Sequence, residues 1–165
     1  NSMQDEIRGP WAGVRLDPFT HHYAMEALKT KKPKVLYISY GETDDWAHGN
    51  KYDQYIWSAK QTDAYIKEIW EYLQSDPQYK GKTTMIITVD HGRGVTKTSW
   101  RSHGSSVPEA GQIWMMAIGP DTPASGEMKI NGQWQSAMVA RTIFKLLGKE
   151  YPDQKAAPAI QEMIK

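Results

Sequence analysis

The chain contains no cysteine. Disulfides and thiolate metal sites are therefore excluded, and any metal must be held by histidine and carboxylates. It also lacks an excess of either charge: 20 Lys and Arg stand against 19 Asp and Glu, a net charge of +1. With the lysines scattered rather than clustered, nothing marks a nucleic-acid partner. No apolar run approaches the roughly 20 residues that span a bilayer, so no membrane segment is expected. No signal peptide is visible either, but Asn1-Ser2-Met3 reads as a remnant joined to an internal start. A removed leader stays open on that reading, and with it a periplasmic or secreted location. Histidine is scarce, with His21, His22, His48, His91 and His103 making up all 5.

At 165 residues the chain has the length of one domain and can bury a real core. Tryptophan and tyrosine are abundant, 7 and 9. Most of these rings are expected to serve packing; Trp46, beside a polar stretch, is a candidate to line a substrate pocket.

Residues 1–16 are polar and irregular, punctuated by Pro10 and Gly13. Asp17-Pro18 reads as a helix start, followed by HHYAMEALKT and a short linker at Lys31 to Pro33. Val35 to Ser39 predicts a buried strand. Tyr55, Ile56, Ala59, Thr62, Ile66, Ile69 and Leu73 recur at helical spacing within Tyr52 to Gln74, and Asp76-Pro77 ends that helix. Thr83 to Val89 and Ile113 to Ile118 predict two more strands, with a loop of few apolar anchors, Val95 to Gly111, before the last. Gln135 to Leu147 predicts an amphipathic helix capped by Gly148, and Ala157 to Ile164 a short final one. Alternating strands and helices point to an α/β layered sandwich. Ligands in such folds sit beyond the carboxyl ends of strands.

Two polar clusters fall at such ends. GETDDWAHGN, Gly41 to Asn50, follows the 35–39 run and is read as a loop; Asp90-His91-Gly92 follows the 83–89 run. Both pair an acid with a histidine, Asp44 with His48 and Asp90 with His91, and His103 stands in the next loop. Each of these histidines precedes a glycine, which leaves the backbone free to turn sharply. One such pair is an ordinary loop feature. Two pairs and a third histidine together suit a divalent ion with nitrogen and oxygen ligands. Asp45 is read as a solvated acid or a partner behind the ligands, and His21 and His22 as surface residues. GETDDWAHGN lacks the acid pattern of a calcium-binding EF-hand loop.

The order D-x-x-x-H after one strand, D-H-G after the next, and H-G before a strand ending Ala117-Ile118-Gly119-Pro120 resembles the alkaline phosphatase superfamily. That group includes alkaline phosphatases, nucleotide phosphodiesterases, cofactor-independent phosphoglycerate mutases and arylsulfatases. The likeness covers about residues 34–148, with Glu42-Thr43-Asp44 to His48 similar to the phosphodiesterase-like members and Asp63 on the helix that follows. It implies two divalent ions, zinc with manganese as the alternative. Asp44, His48 and His103 would hold one, Asp90 and His91 the other. The expected activity is hydrolysis of a small-molecule phosphate ester through a Ser or Thr nucleophile lying between the metals. Arg93 and Arg101, near the ligands in sequence, are weaker candidates to contact the anionic substrate.

The departure from the family's pattern is equally specific. The family takes a further Asp and its nucleophile from a strand near the start of the catalytic domain, and residues 1–33 hold no such strand. The chain therefore reads as residues 1–33, an irregular segment and helix, followed by residues 34–165, the C-terminal part of a catalytic domain. On this reading the N-terminal part of that domain is the missing partner, and the isolated chain is inactive. A mutase, a sulfatase of the same superfamily, and a non-catalytic metal-binding module are the alternatives.

Overall fold

The computed structural model describes Ile7, Trp11 and residues 13–165; the irregular reading of residues 1–6, 8–10 and 12 lies outside the described residues. Among the described residues four α-helices and two strands follow in order: α1 (Asp17–Lys31), α2 (Glu42–His48), α3 (Tyr52–Ser75), β1 (Met85–Thr88), β2 (Met115–Ile118) and α4 (Val139–Leu146). Short 3-10 turns lie at Ser99–Arg101, Pro108–Gly111, Ser136–Met138 and Gln161–Met163. The architecture is a mixed α/β fold, helices with a small two-stranded sheet.

The core is the seam between α1 and α3. On α1 the buried residues Asp17, His21, Ala24, Met25 and Leu28 recur at helical spacing. On α3 they are Ser58, Tyr65, Ile69 and Leu73. Met25, Leu28, Ile69, Leu73 and Tyr79 pack as one cluster, with Ile38, Trp70, Tyr72 and Met85 against it. Burying each of these large apolar side chains stabilises the fold by about 1.5–3 kcal/mol. The expected face of α3 is right at Ile69 and Leu73, but Ala59 is exposed while Tyr65 turns inward.

Tyr65 turns inward because it meets His21. The two rings stack 4.0 Å apart at 14°. His21 is fully buried, against the expectation of a surface residue. Its Nδ1 lies 3.0 Å from the Tyr40 hydroxyl and its Nε2 3.0 Å from Glu68 Oε2. Polarity in the sequence was misleading here: His21 stands four residues before Met25 and seven before Leu28, squarely on the buried stripe. Its neighbour His22 is exposed, as expected.

β1 and β2 pair antiparallel, Met85 opposite Ile118 and Thr88 opposite Met115. The connection between them, residues 89–114, therefore starts and ends at one edge of the sheet. Both predicted strands shorten to four residues. The predicted buried strand at 35–39 does not form. Among the described residues it has no ladder partner, and Val35, Leu36 and Tyr37 are exposed. A strand exists only through the backbone groups beside it.

The C-terminal helix opens as the 3-10 turn Ser136–Met138 and ends as expected at Gly148, whose φ of 63° allows N–H bonds from Gly148 to Lys145 O and from Lys149 to Phe144 O, both 2.9 Å. The expected helix at 157–164 is reduced to the turn Gln161–Met163. Its backbone is claimed by tertiary bonds instead: Ile160 N–H donates to Thr142 Oγ1 at 2.9 Å and Lys165 N–H to Asp121 O at 2.9 Å.

Replacing His21 with alanine removes a buried ring and leaves Tyr40 and Glu68 without their partner. His21→Ala is expected to cost roughly 2–4 kcal/mol, read as a shift in urea midpoint. A midpoint equal to the native chain's would return His21 to the surface.

Candidate metal centre

GETDDWAHGN is a helix, not a loop. Three acids, Glu42, Asp44 and Asp45, lie in the first turn of α2 and His48 in the last. That order suits the helix dipole, positive at its start and negative at its end. The stop is equally clear in the residues. Asn50 adopts φ 56°, and Asn50 and Lys51 N–H donate to Ala47 O and Trp46 O at 3.0 and 2.9 Å. Helical geometry explains why an Asp and a His stand four apart. It puts Asp44 Oδ2 3.4 Å from His48 Nε2 on one face.

The start of α2 is fixed from a distance. Gly41 and Glu42 N–H donate to the Asp17 carboxylate at 2.8 and 3.2 Å, and Asp17 N–H donates to Glu42 Oε1 at 2.8 Å. Each carboxylate thus caps the start of the other's helix. Trp46 Nε1 donates to the remaining Glu42 oxygen at 3.4 Å, which places that indole beside the cap. Desolvation raises the Asp45 carboxyl above its ordinary range; its backbone carbonyl accepts the Trp11 indole N–H at 3.2 Å.

The other contributors come from the 89–114 connection. Because β1 and β2 are antiparallel, His91 just after β1 and His103 before β2 reach the same edge of the sheet. The connection is anchored by Trp100, whose ring meets Tyr52 at 5.3 Å and Tyr55 at 5.7 Å. Trp100 is an apolar anchor in a stretch whose composition offers few. Of the three His-Gly glycines, only Gly92 is demanded by space. A Cβ there would run into the carbonyl oxygens of Gln112 and Glu109. Gly49, Gly92 and Gly104 all lack positive φ, so none of them is required for a left-handed backbone.

Asp44 stands at the centre. Its Oδ1 lies 3.6 Å from His91 Nε2 and 3.5 Å from His103 Nε2. One ligand atom from each of Asp44, His91 and His103 falls within 4.8 Å of the others. His48 Nε2 is 2.9 Å from His103 Nε2, and the His91 and His103 rings stack at 3.7 Å. Asp44, His48 and His103, the set that the resemblance assigns to one ion, thus lie together, and His91 joins them. Asp90 remains at the rim, 90% exposed, accepting the His91 N–H at 3.0 Å. Arg93 is brought in, its Nη2 bonded to Asp44 Oδ1. Arg101 is not; it is exposed and donates to Thr98 O at 3.4 Å.

The donor set fits a divalent ion. Ligands about 2.05 Å from a tetrahedral ion stand roughly 3.3 Å apart, close to the oxygen–nitrogen separations around Asp44 Oδ1. His91 Nδ1 lies 2.9 Å from Gly92 O; a proton held there leaves the Nε2 lone pair facing the cluster. Desolvation, then the neighbouring His91, His48 and Arg93, lowers the His103 pKa, favouring the neutral form that binds metal.

Imidazoles and a carboxylate converging beyond the edge of an α/β sheet define a metal-binding, enzyme-like domain. The sequence model of the Metalloenzyme superfamily matches residues 19–108. That span is more than half of the chain and contains every member of the cluster, so the chain belongs to the Metalloenzyme superfamily. No curated protein and no solved structure matches it.

The cap that holds α2 carries its own pH signature. Burial pushes the Asp17 carboxyl up to about 6, over the opposing N–H bonds from Gly41 and Glu42, with the charges of Glu42 and Asp45 adding to the rise. An acid whose folded pKa is raised contributes stability that is full below its unfolded pKa, about 3.9, and is lost as pH rises through the folded value. The advantage of the native chain over Asp17→Asn should shrink by on the order of 2–3 kcal/mol between about pH 4 and pH 7. Urea midpoints of both chains across that window measure it, and an advantage that grows with pH would contradict the buried cap.

Proposed function

We propose that this chain carries the metal-binding part of a phosphate-ester hydrolase, a phosphatase or phosphodiesterase of the alkaline phosphatase superfamily. The observation that supports the reading most is the convergence of Asp44, His91 and His103 in a member of a metalloenzyme superfamily. Zinc suits the nitrogen and oxygen donors, with manganese second. A divalent ion there would supply Lewis-acid polarisation of a phosphoryl oxygen.

The residues divide the work. Asp44 provides the negative charge that a cation needs. His91, its tautomer set through Gly92, and His103, kept neutral, offer nitrogen lone pairs. His48 stands next to both Asp44 and His103 and can complete the set. Asp90 orients the His91 backbone and leaves an exposed carboxylate at the rim for a second ion, whose other ligands must come from elsewhere. Among the described residues no serine or threonine hydroxyl bonds to any member of the cluster. On this proposal the nucleophile and the remaining ligands come from the rest of the catalytic domain, packed against this edge of the sheet. The substrate is a small phosphate ester.

Metal analysis and hydrolysis assays test the reading together. The chain alone should take up at most one zinc ion per molecule and hydrolyse neither p-nitrophenyl phosphate nor bis-p-nitrophenyl phosphate. Asp44→Ala and His91→Ala should each weaken zinc binding by about 100-fold or more, since each removes a ligand from an already sparse set. Two tightly held ions per chain, or real turnover, would mean that the missing parts are present here. Unchanged zinc affinity in both variants would sink the assignment.

A further inference from the structure

Among the described residues, Arg93 is the one arginine or lysine bonded into the cluster, and it is bonded at its most contested atom. Its Nη2 meets Asp44 Oδ1, the oxygen that faces both His91 Nε2 and His103 Nε2. The guanidinium is held in place by two backbone carbonyls as well. Nη1 donates to Trp100 O at 3.2 Å and Nη2 to Asp44 O at 3.3 Å. The side chain is only 14% exposed, so its charge is weakly screened. Asp44 Oδ2 does not offer an easy alternative, because it faces His48 at 3.4 Å.

We infer that Arg93 and a divalent cation compete for Asp44 Oδ1, and that a tetrahedral oxyanion relieves the competition by taking over the Arg93 guanidinium. A cation seated among Asp44, His91 and His103 needs the oxygen Arg93 already uses. The two carbonyls keep the guanidinium from withdrawing into solvent. It then stands a few ångströms from a second positive charge, with donors freed in the rigid fork that matches phosphate or sulfate. An oxyanion bridging guanidinium and cation removes the repulsion. Linkage makes the effect reciprocal: the anion tightens the cation, and the cation the anion. Arg93 thus favours the filled site only when an anionic substrate is present. This deepens the proposed function and rests on its reading that Asp44, His91 and His103 hold a divalent ion.

Calorimetric titration of the full chain with Co²⁺, with and without sulfate, tests it without any activity measurement. Sulfate is the probe because it keeps the cation in solution. Arg93→Gln should bind Co²⁺ about tenfold more tightly than the native chain without sulfate, and Arg93→Lys, which keeps the charge, close to native. Sulfate should tighten Co²⁺ binding to the native chain several-fold and leave Arg93→Gln unchanged. Equal or weaker Co²⁺ binding by Arg93→Gln overturns the competition. If that variant does not fold, the native chain decides alone: Co²⁺ affinity indifferent to sulfate overturns the coupling. Failure of native chain and folded Arg93→Gln alike to take up Co²⁺ overturns the metal-site reading itself, and this inference with it.

Discussion

Asp17 and Glu42 stand 25 residues apart, yet each carboxylate accepts a hydrogen bond from the first backbone N–H groups of the other's helix. The geometry of the candidate site depends on this exchange. α2 is only seven residues long, too short to hold its own conformation in water. Its start is fixed by Asp17, at the head of a helix whose other buried residues form the core with α3. Its end is fixed by Asn50 in the left-handed region. Between these two fastenings lie Asp44 and His48. The exchange also carries a cost, since two buried acids face one another and burial lifts Asp17 to about 6.

The second half of the site is held differently. His91 and His103 lie on irregular backbone, and their convergence follows from strand direction. An antiparallel pair returns its connection to the end it left, so residues 89 and 114 lie together there, and the Ser99–Arg101 turn between them touches α2. Trp100 against Tyr52 and Tyr55 pins the middle of that connection to the start of α3. Gly92 lets its backbone approach Gln112 and Glu109 more closely than any side chain would permit. Arg93 then ties the connection to α2 through Asp44. The cluster is thus built by two independent supports, a capped helix and a pinned loop, that meet at one carboxylate.

Much of this was legible in the residues. The Asp17-Pro18 start of α1, the 3.6-residue spacing of α3, the glycine stop of α4 and the apolar runs of β1 and β2 were readable because each is a local signal. The acid–histidine pairs were visible as well, although Asp44 and His48 stand on a helix and not at the end of a strand. What was not legible is tertiary. The 35–39 run has the composition of a strand, but pairing depends on neighbours that local composition does not name. His21 looked like a surface residue because its polarity is visible and its partners, Tyr40, Tyr65 and Glu68, are remote in sequence. The helix at 42–48 was within reach, with acids first, histidine last and Gly49-Asn50 as its stop. Its shortness hid it. That His91 also reaches Asp44 could not be read from spacing, because the two are 47 positions apart in sequence.

The central claim is that His91 and His103 lend their Nε2 atoms to one cation shared with Asp44. Long-range ¹H–¹⁵N spectra of the histidine-labelled chain during zinc titration address it atom by atom. The Nε2 resonances of His91 and His103 should move together and be complete near one equivalent, while those of the buried His21 stay where they are. Zinc-dependent shifts confined to His22, or none at His91 and His103, would contradict the account.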